Sequence, residues 1–216
     1  MAQATLLGPS TYLSSADSPF SPFSGFTYFH LENFEDHLLN TPGVTASAGG
    51  VTSVVFGPSI HDSVDADDGS IDGSGLKGDS FFSGNGGAGI SFTFNAGALG
   101  SLPDAVGIVW TDGAGTISFE AFDALNNSLG ILTGNHADGN FSGGTAEDRF
   151  YGATNSGGIS RIHISNNGGG IEVDHLQYGL RGTNRVPPPN GVPEPASLAL
   201  LAIGLFGLGI MRHRMA

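Results

Sequence analysis

An all-β protein, an antiparallel β-sandwich of jelly-roll type, is the fold class that this 216-residue sequence predicts. Three observations predict it. Apolar residues alternate with polar ones in short stretches, as in Ile90-Ser-Phe92-Thr-Phe94, which places three apolar side chains on one face of a strand. Glycine fills 36 positions, well above its usual share of about 7%. Turn signals such as Asp112-Gly113, Asn126-Asn127 and Asn167-Gly168 punctuate the apolar stretches. No long amphipathic helix separates those stretches, which disfavours a parallel α/β arrangement.

Taken in order, residues 1–25 are rich in Ser, Pro and Gly with scattered Phe, and read as a flexible N-terminal arm. Residues 26–180 form the sandwich domain. Its candidate strands are 27–32, 51–56, 79–83, 89–95, 106–111, 116–123, 128–133, 148–153, 159–164 and 171–178. Ala96–Leu102 reads as a single helical turn. Residues 181–191, Arg-Gly-Thr-Asn-Arg-Val-Pro-Pro-Pro-Asn-Gly, are an extended Pro/Gly linker. A C-terminal segment, 192–216, follows and contains an uncharged apolar helix over 196–211.

Composition removes several functions. There is no cysteine, so neither a disulfide framework nor a Cys-ligated metal site is available. Twenty acids against seven bases give a formal charge of −13, which disfavours nucleic acid as a partner. With 39% hydrophobic residues and 15 Phe, the chain can build one core.

The C-terminal segment carries three features in order. Val192-Pro193-Glu194-Pro195 comes first, then the apolar run, then Arg212 and Arg214 as a basic membrane stop. This ending resembles the PEP-CTERM sorting signal of Gram-negative, exopolysaccharide-producing bacteria. The resemblance implies export, transient anchoring in the inner membrane by a transmembrane-like helix, and processing by an exosortase. The protein would then reside at the cell surface or in the extracellular matrix. Such a chain needs a secretion signal. Met1-Ala-Gln-Ala-Thr5 has neither a basic nor an apolar signal region, although Ala2-Gln3-Ala4 looks like the end of a cleaved one. The expectation is that the chain begins near its mature N-terminus or that the start codon is misplaced.

Phe34-Glu35-Asp36 and Ile171-Glu-Val173-Asp174-His-Leu176-Gln-Tyr178-Gly179 resemble the bracketing strands of secreted carbohydrate-binding jelly rolls. That likeness implies a structural Ca²⁺ between the two ends, with Glu35 and Asp174 as ligands. Independently, the stretch from Asp62 through Asp65, Asp67, Asp68 and Asp72 offers hard carboxylate oxygens on a Gly-containing loop, the chemistry calcium takes. The same stretch also reads as a solvated acidic loop. Trp110, the sole tryptophan, would stack on a sugar if it stood at a strand end, but alternation sets it on the face of Ile108 and favours the core. His163 and His175 lie on neighbouring candidate strands and could meet. Glu120, Glu147 and Glu172 are the acids from which a glycoside-hydrolysing pair would be drawn.

The function expected from the sequence is that of an exported, exosortase-sorted, non-enzymatic protein of the exopolysaccharide matrix, with an adhesive, structural or glycan-binding role. Two alternatives stand beside it: a hydrolase or lyase acting on the exopolysaccharide, and a matrix protein with no specific ligand. Concave burial of a carboxylate pair would favour hydrolysis, and a flat sheet face with exposed aromatic surface would favour binding.

Overall fold

The computed structural model describes residues 4–57, 63–64, 78–139 and 147–182. The chain divides into a compact unit, Met1–Gly182, and a second unit, Thr183–Ala216. The sorting residues Val192–Pro195, Arg212 and Arg214, the apolar run 196–211, and Asp62, Asp65, Asp67, Asp68 and Asp72 lie outside the described residues.

Ten strands, two short α-helices and a 3-10 turn at Ser15–Asp17 make up the described part. The strands are β1 (Thr5–Thr11), β2 (Phe26–Glu32), β3 (Val44–Ala46), β4 (Gly50–Val51), β5 (Phe81–Ser83), β6 (Ile90–Phe94), β7 (Ala105–Asp123), β8 (Ser128–Gly134), β9 (Arg149–Thr154) and β10 (Ile159–Arg181). The helices are α1 (Thr52–Phe56) and α2 (Ala96–Leu99). All the pairings are antiparallel.

The two longest strands organise the sandwich. The first half of β7 pairs with β9 through Ala105–Trp110, and β9 pairs in turn with β1. The second half of β7 pairs with β8 through Ile117–Phe122. Likewise β10 pairs with β6 through Arg161–Ile164, then with β5 at Ile171–Val173 and β2 from Leu176 onward. Sheet one therefore runs β1-β9-β7-β10 and ends on β2, β5 and β4, while sheet two runs β8-β7-β10-β6-β3. Both long strands pass from one sheet into the other. The sequence divides each of them at an apparent turn, 112–115 and 166–170, yet pairing continues through register shifts there. Gly115, at φ +85°, takes the left-handed backbone that the crossing needs. The Asn166 amide bridges the crossing by donating to the carbonyls of Ala114 and Gly170, each at 3.0 Å.

Between the sheets lies the main core. Phe92 and Ile90 from β6, Ile117 and Phe119 from β7, and Ile162 and Ile164 from β10 meet Ile108, Trp110, Tyr151 and Val173 of sheet one. These side chains are fully buried. Burying one large apolar side chain contributes about 1.5–3 kcal/mol, so this cluster is the main support of the fold.

A second buried cluster covers the outer face of sheet one. Tyr12, Phe20 and Val64 pack on Ala105, Val109 and Phe150. This corrects the reading of residues 1–25 as a flexible arm. Residues 5–11 pair with β9, and Tyr12 and Phe20 are buried, because the scattered aromatics find an apolar sheet face to cover. Polar contacts fix the cover in place. Tyr12 OH meets His175 Nδ1 at 3.0 Å and accepts from Gln177 Nε2 at 2.8 Å.

The expected strand 51–56 is also corrected, since only Gly50 and Val51 pair and the chain then turns into α1. The helix has no side-chain cap of its own. Asp79, just before β5, supplies one from 26 residues away: its Oδ1 accepts from Ser53 N at 2.9 Å and from the Thr52 hydroxyl at 3.1 Å. The single helical turn expected at 96–102 is observed as α2, capped by the Asn95 side chain.

Candidate functional site

The loop after β2 is closed by one buried carboxylate. Glu32 accepts from the backbone N–H groups of Phe34 at 3.2 Å and of Asn40 and Thr41 at 3.0 Å each. These bonds offset the left-handed backbone of Phe34 (φ 59°) and His37 (φ 68°). They also present Glu35 to the start of β5, where its Oε1 accepts from Asp79 N at 2.6 Å.

Glu35 and Asp174 stand on either side of the Ser63 hydroxyl. The Ser63 hydroxyl stands 3.5 Å from Glu35 Oε1 and 3.1 Å from Asp174 Oδ2. Asp174 also accepts from Val64 N at 2.9 Å and His175 N at 2.6 Å. The carboxylate oxygens are thus engaged by O–H and N–H donors. Calcium takes six to eight oxygen ligands. Among the described residues, no group of three or more His, Asp or Glu side chains is arranged to hold a metal ion.

Trp110 is fully buried, and its Nε1–H donates to Asn166 Oδ1 at 3.4 Å. Its ring meets His136 edge-on at 5.0 Å. The indole faces the core and offers no platform to a sugar. Its placement follows the alternation that groups it with Ile108. His163 and His175 do not meet: they lie on one strand, β10, in different sheets. His163 stands on the outer side of sheet two and contacts Ser91 Oγ, whereas His175 is buried against Tyr12.

The outer side of sheet two is where chemistry is offered to solvent. Along β7 and β10 the inward residues are buried, and Ser118, Glu120, Phe122, Arg161, His163 and Ser165 between them are half-buried. Cross-strand register sets these side chains in rows. One row runs Ile131, Glu120, His163, Ser91 across β8, β7, β10 and β6. The next runs Ser128, Phe122, Arg161, Thr93, Thr45 and reaches β3. The face is built on paired strands, which fixes its groups more firmly than loops would. The Arg161 guanidinium lies 3.5 Å above the Phe122 ring. Burial pushes the His163 imidazole below its ordinary pKa of 6.5, and Arg161 adds to the effect, so at neutral pH it offers a neutral hydrogen-bonding ring.

A separate group of acids stands near the crossing of β7. Glu147 is 1% exposed, and its Oε2 accepts from Asp138 N at 2.9 Å. Its Oε1 has no partner among the described residues. Burial raises its pKa to about 8, and the carboxylates of Asp138 and Asp112 push the same way. Asp112, 7% exposed, is raised by burial to about 6. His136, bonded to Tyr151 OH at 2.7 Å, is pushed by burial down to about 4. Of the three acids considered for hydrolysis, Glu147 is in this group, Glu172 accepts from Ser80 Oγ on sheet one, and Glu120 is on the open face.

The geometry thus defines an antiparallel β-sandwich with one covered sheet face and one open, polar one. Residues 191–214 match the PEP-CTERM protein-sorting motif. No curated protein matches the chain. Among solved structures it is similar to the xylan-binding domain from CBM 22, formally the x6b domain, at 13% identity and a TM-score of 0.39. That likeness covers 75% of this chain and 99% of the other. It is also similar to the enzymatically active domain of tailspike protein 4 of bacteriophage CBA120, at 17% identity and a TM-score of 0.28. In that case 81% of this chain and 22% of the other are covered. Among the described residues, no helix is long and apolar enough to cross a membrane.

Proposed function

We propose that this protein is a non-enzymatic, exosortase-processed component of an extracellular polysaccharide matrix, and that its sandwich domain binds glycan on the outer face of sheet two. The observation that carries the sorting half is the motif at 191–214, placed after a compact unit that ends at Gly182. Glu194, between Pro193 and Pro195 in the sequence, would be the feature the protease reads. Deleting 192–216 is expected to stop delivery to the cell surface. Fractionation followed by detection of the chain checks this, and unchanged surface delivery of the truncated chain refutes it.

The binding half is supported by the open face itself. Sugars present hydroxyls that hydrogen-bonding groups can read. Ser91, His163, Glu120 and Thr93 supply such groups, and the Phe122 ring seats the Arg161 guanidinium among them. Phe122→Ala removes the ring and the seat of the Arg161 guanidinium. It is expected to weaken retardation in polysaccharide-containing gels severalfold, with the far-ultraviolet circular dichroism unchanged because Phe122 lies outside the core. Equal retardation of the variant and the parent chain would move the site elsewhere.

The hydrolase reading draws on Glu147 and Asp112, whose raised pKa values are of the kind that acid catalysis uses. Both are buried, at 1% and 7% exposure. Burial therefore weighs toward binding over hydrolysis.

A further inference from the structure

We infer that the open face of sheet two takes an acidic polysaccharide, with the carboxylate of a uronic-acid-type sugar seated on Arg161. This rests on the proposed glycan-binding role of that face and adds the ligand's charge and the residue that reads it.

Arg161 sits among neutral groups. Its Nε and Nη2 donate to Asn126 Oδ1 at 3.4 and 3.0 Å, and its Nη1 approaches Ser91 Oγ at 3.4 Å. Below it lies the Phe122 ring. Each of these partners is neutral. Arg181, by contrast, is paired with the Asp104 carboxylate at 3.2 Å. In a chain with 20 acids and seven bases, carboxylates are the abundant partners for an arginine. Arg161 is nevertheless held by an amide, a hydroxyl and a ring. Glu120, one row away on the same face, receives no hydrogen bond from it. A guanidinium has five N–H donors, so these contacts leave donors over.

Those contacts also fix the fork. Stacking on Phe122 sets the guanidinium plane, and Asn126 and Ser91 hold its edge. A planar, pre-oriented guanidinium matches a planar carboxylate with two parallel N–H···O bonds, and less of its freedom is lost on binding. The remaining titratable neighbour, His163, is neutral at pH 7 and adds hydrogen-bonding capacity without charge. Glu120 is the one carboxylate in the two rows that form the centre of the face. It sets a direction: the sugar's carboxylate belongs on the Phe122–Arg161 row, and its hydroxyls belong over Glu120.

The test compares polygalacturonate, its methyl-esterified form and dextran in affinity electrophoresis of the full chain and of Arg161→Gln and Arg161→Lys. The expected result is retardation by polygalacturonate that weakens at least tenfold on esterification, falls with added NaCl, and is lost in Arg161→Gln. Arg161→Lys, which keeps the charge but not the fork, is expected to fall between the two. Equal retardation by the free-acid and esterified polymers overturns the acidic-ligand inference. Retention on dextran alone overturns it as well while leaving the glycan-binding reading standing, and retention on none of the three removes both. Should Arg161→Gln fail to fold, the comparison of free acid with ester on the parent chain still decides.

Discussion

Trp110→Ala is expected to lower the stability of the sandwich domain by about 3–5 kcal/mol, the range for removing a large aromatic side chain from a tight core. The ring is fully buried between the sheets, close to the crossing where β7 leaves sheet one. Its removal opens a cavity beside His136 and Tyr151, and it takes away the N–H that Asn166 Oδ1 accepts. Asn166 in turn holds the crossing through Ala114 and Gly170, so the loss reaches the joint between the sheets. Domains of this size have about 5–15 kcal/mol in total, and the variant is expected to melt about 6–20 °C lower. Because the chain has one tryptophan, the melt must be followed by circular dichroism rather than indole fluorescence. Trp110→Phe, which keeps most of the volume, is expected to lose less than half as much. A melting temperature for Trp110→Ala within 2 °C of the parent would show that the core does not depend on this residue.

How far the sequence reached is instructive at particular residues. Alternation at Ile90–Phe94 and Ile117–Phe122 named both the strands and their inward faces, since period-two patterning is local and survives folding. It also set Trp110 with Ile108, and the structure buries both. The sorting motif was legible because it is linear: its meaning lies in the order of residues rather than in contacts. Continuity of β7 and β10 was not legible. Asp112-Gly113 and Asn167-Gly168 are turn signals, but here they serve bulges in strands that bend from one sheet to the other, and the bonds that hold the bend come from Asn166. Nor was α1 legible. Thr-Ser-Val-Val-Phe is rich in β-branched residues, and the group that caps it, Asp79, is remote in sequence. The open face was half visible. Its members are the polar positions of separate strands, but which of them are neighbours depends on register, and register is a property of the assembled sheet.

Between pH 5 and pH 9 the domain is expected to lose on the order of 3 kcal/mol, with most of that loss traceable to Glu147. An unfolded glutamate ionises near its ordinary value of 4.5, whereas folded Glu147 holds its proton up to about pH 8. Below pH 4.5 both states carry the proton, and the stabilisation is fully present. As pH rises from 4.5 toward 8 the unfolded state gains the advantage of ionising, and beyond 8 the folded state must carry a charge at a buried site beside Asp138 and Asp112. Asp112, raised to about 6, adds a smaller loss in the same direction between its ordinary value of 3.8 and 6. Asp79 acts oppositely. Burial pushes its carboxyl up, but bonds from Ser53, His37 and Thr52 outweigh this and hold it below the ordinary range, so its contribution disappears only in acid. The net curve therefore declines on the alkaline side. Glu147→Gln keeps the shape and the acceptor for Asp138 N–H while removing the ionisation. In urea titrations at pH 5, 7 and 9, the parent is expected to weaken steadily and Glu147→Gln to stay nearly level. Parallel curves for the two chains would mean that Glu147 is ionised in the folded protein and that its burial is relieved by solvent.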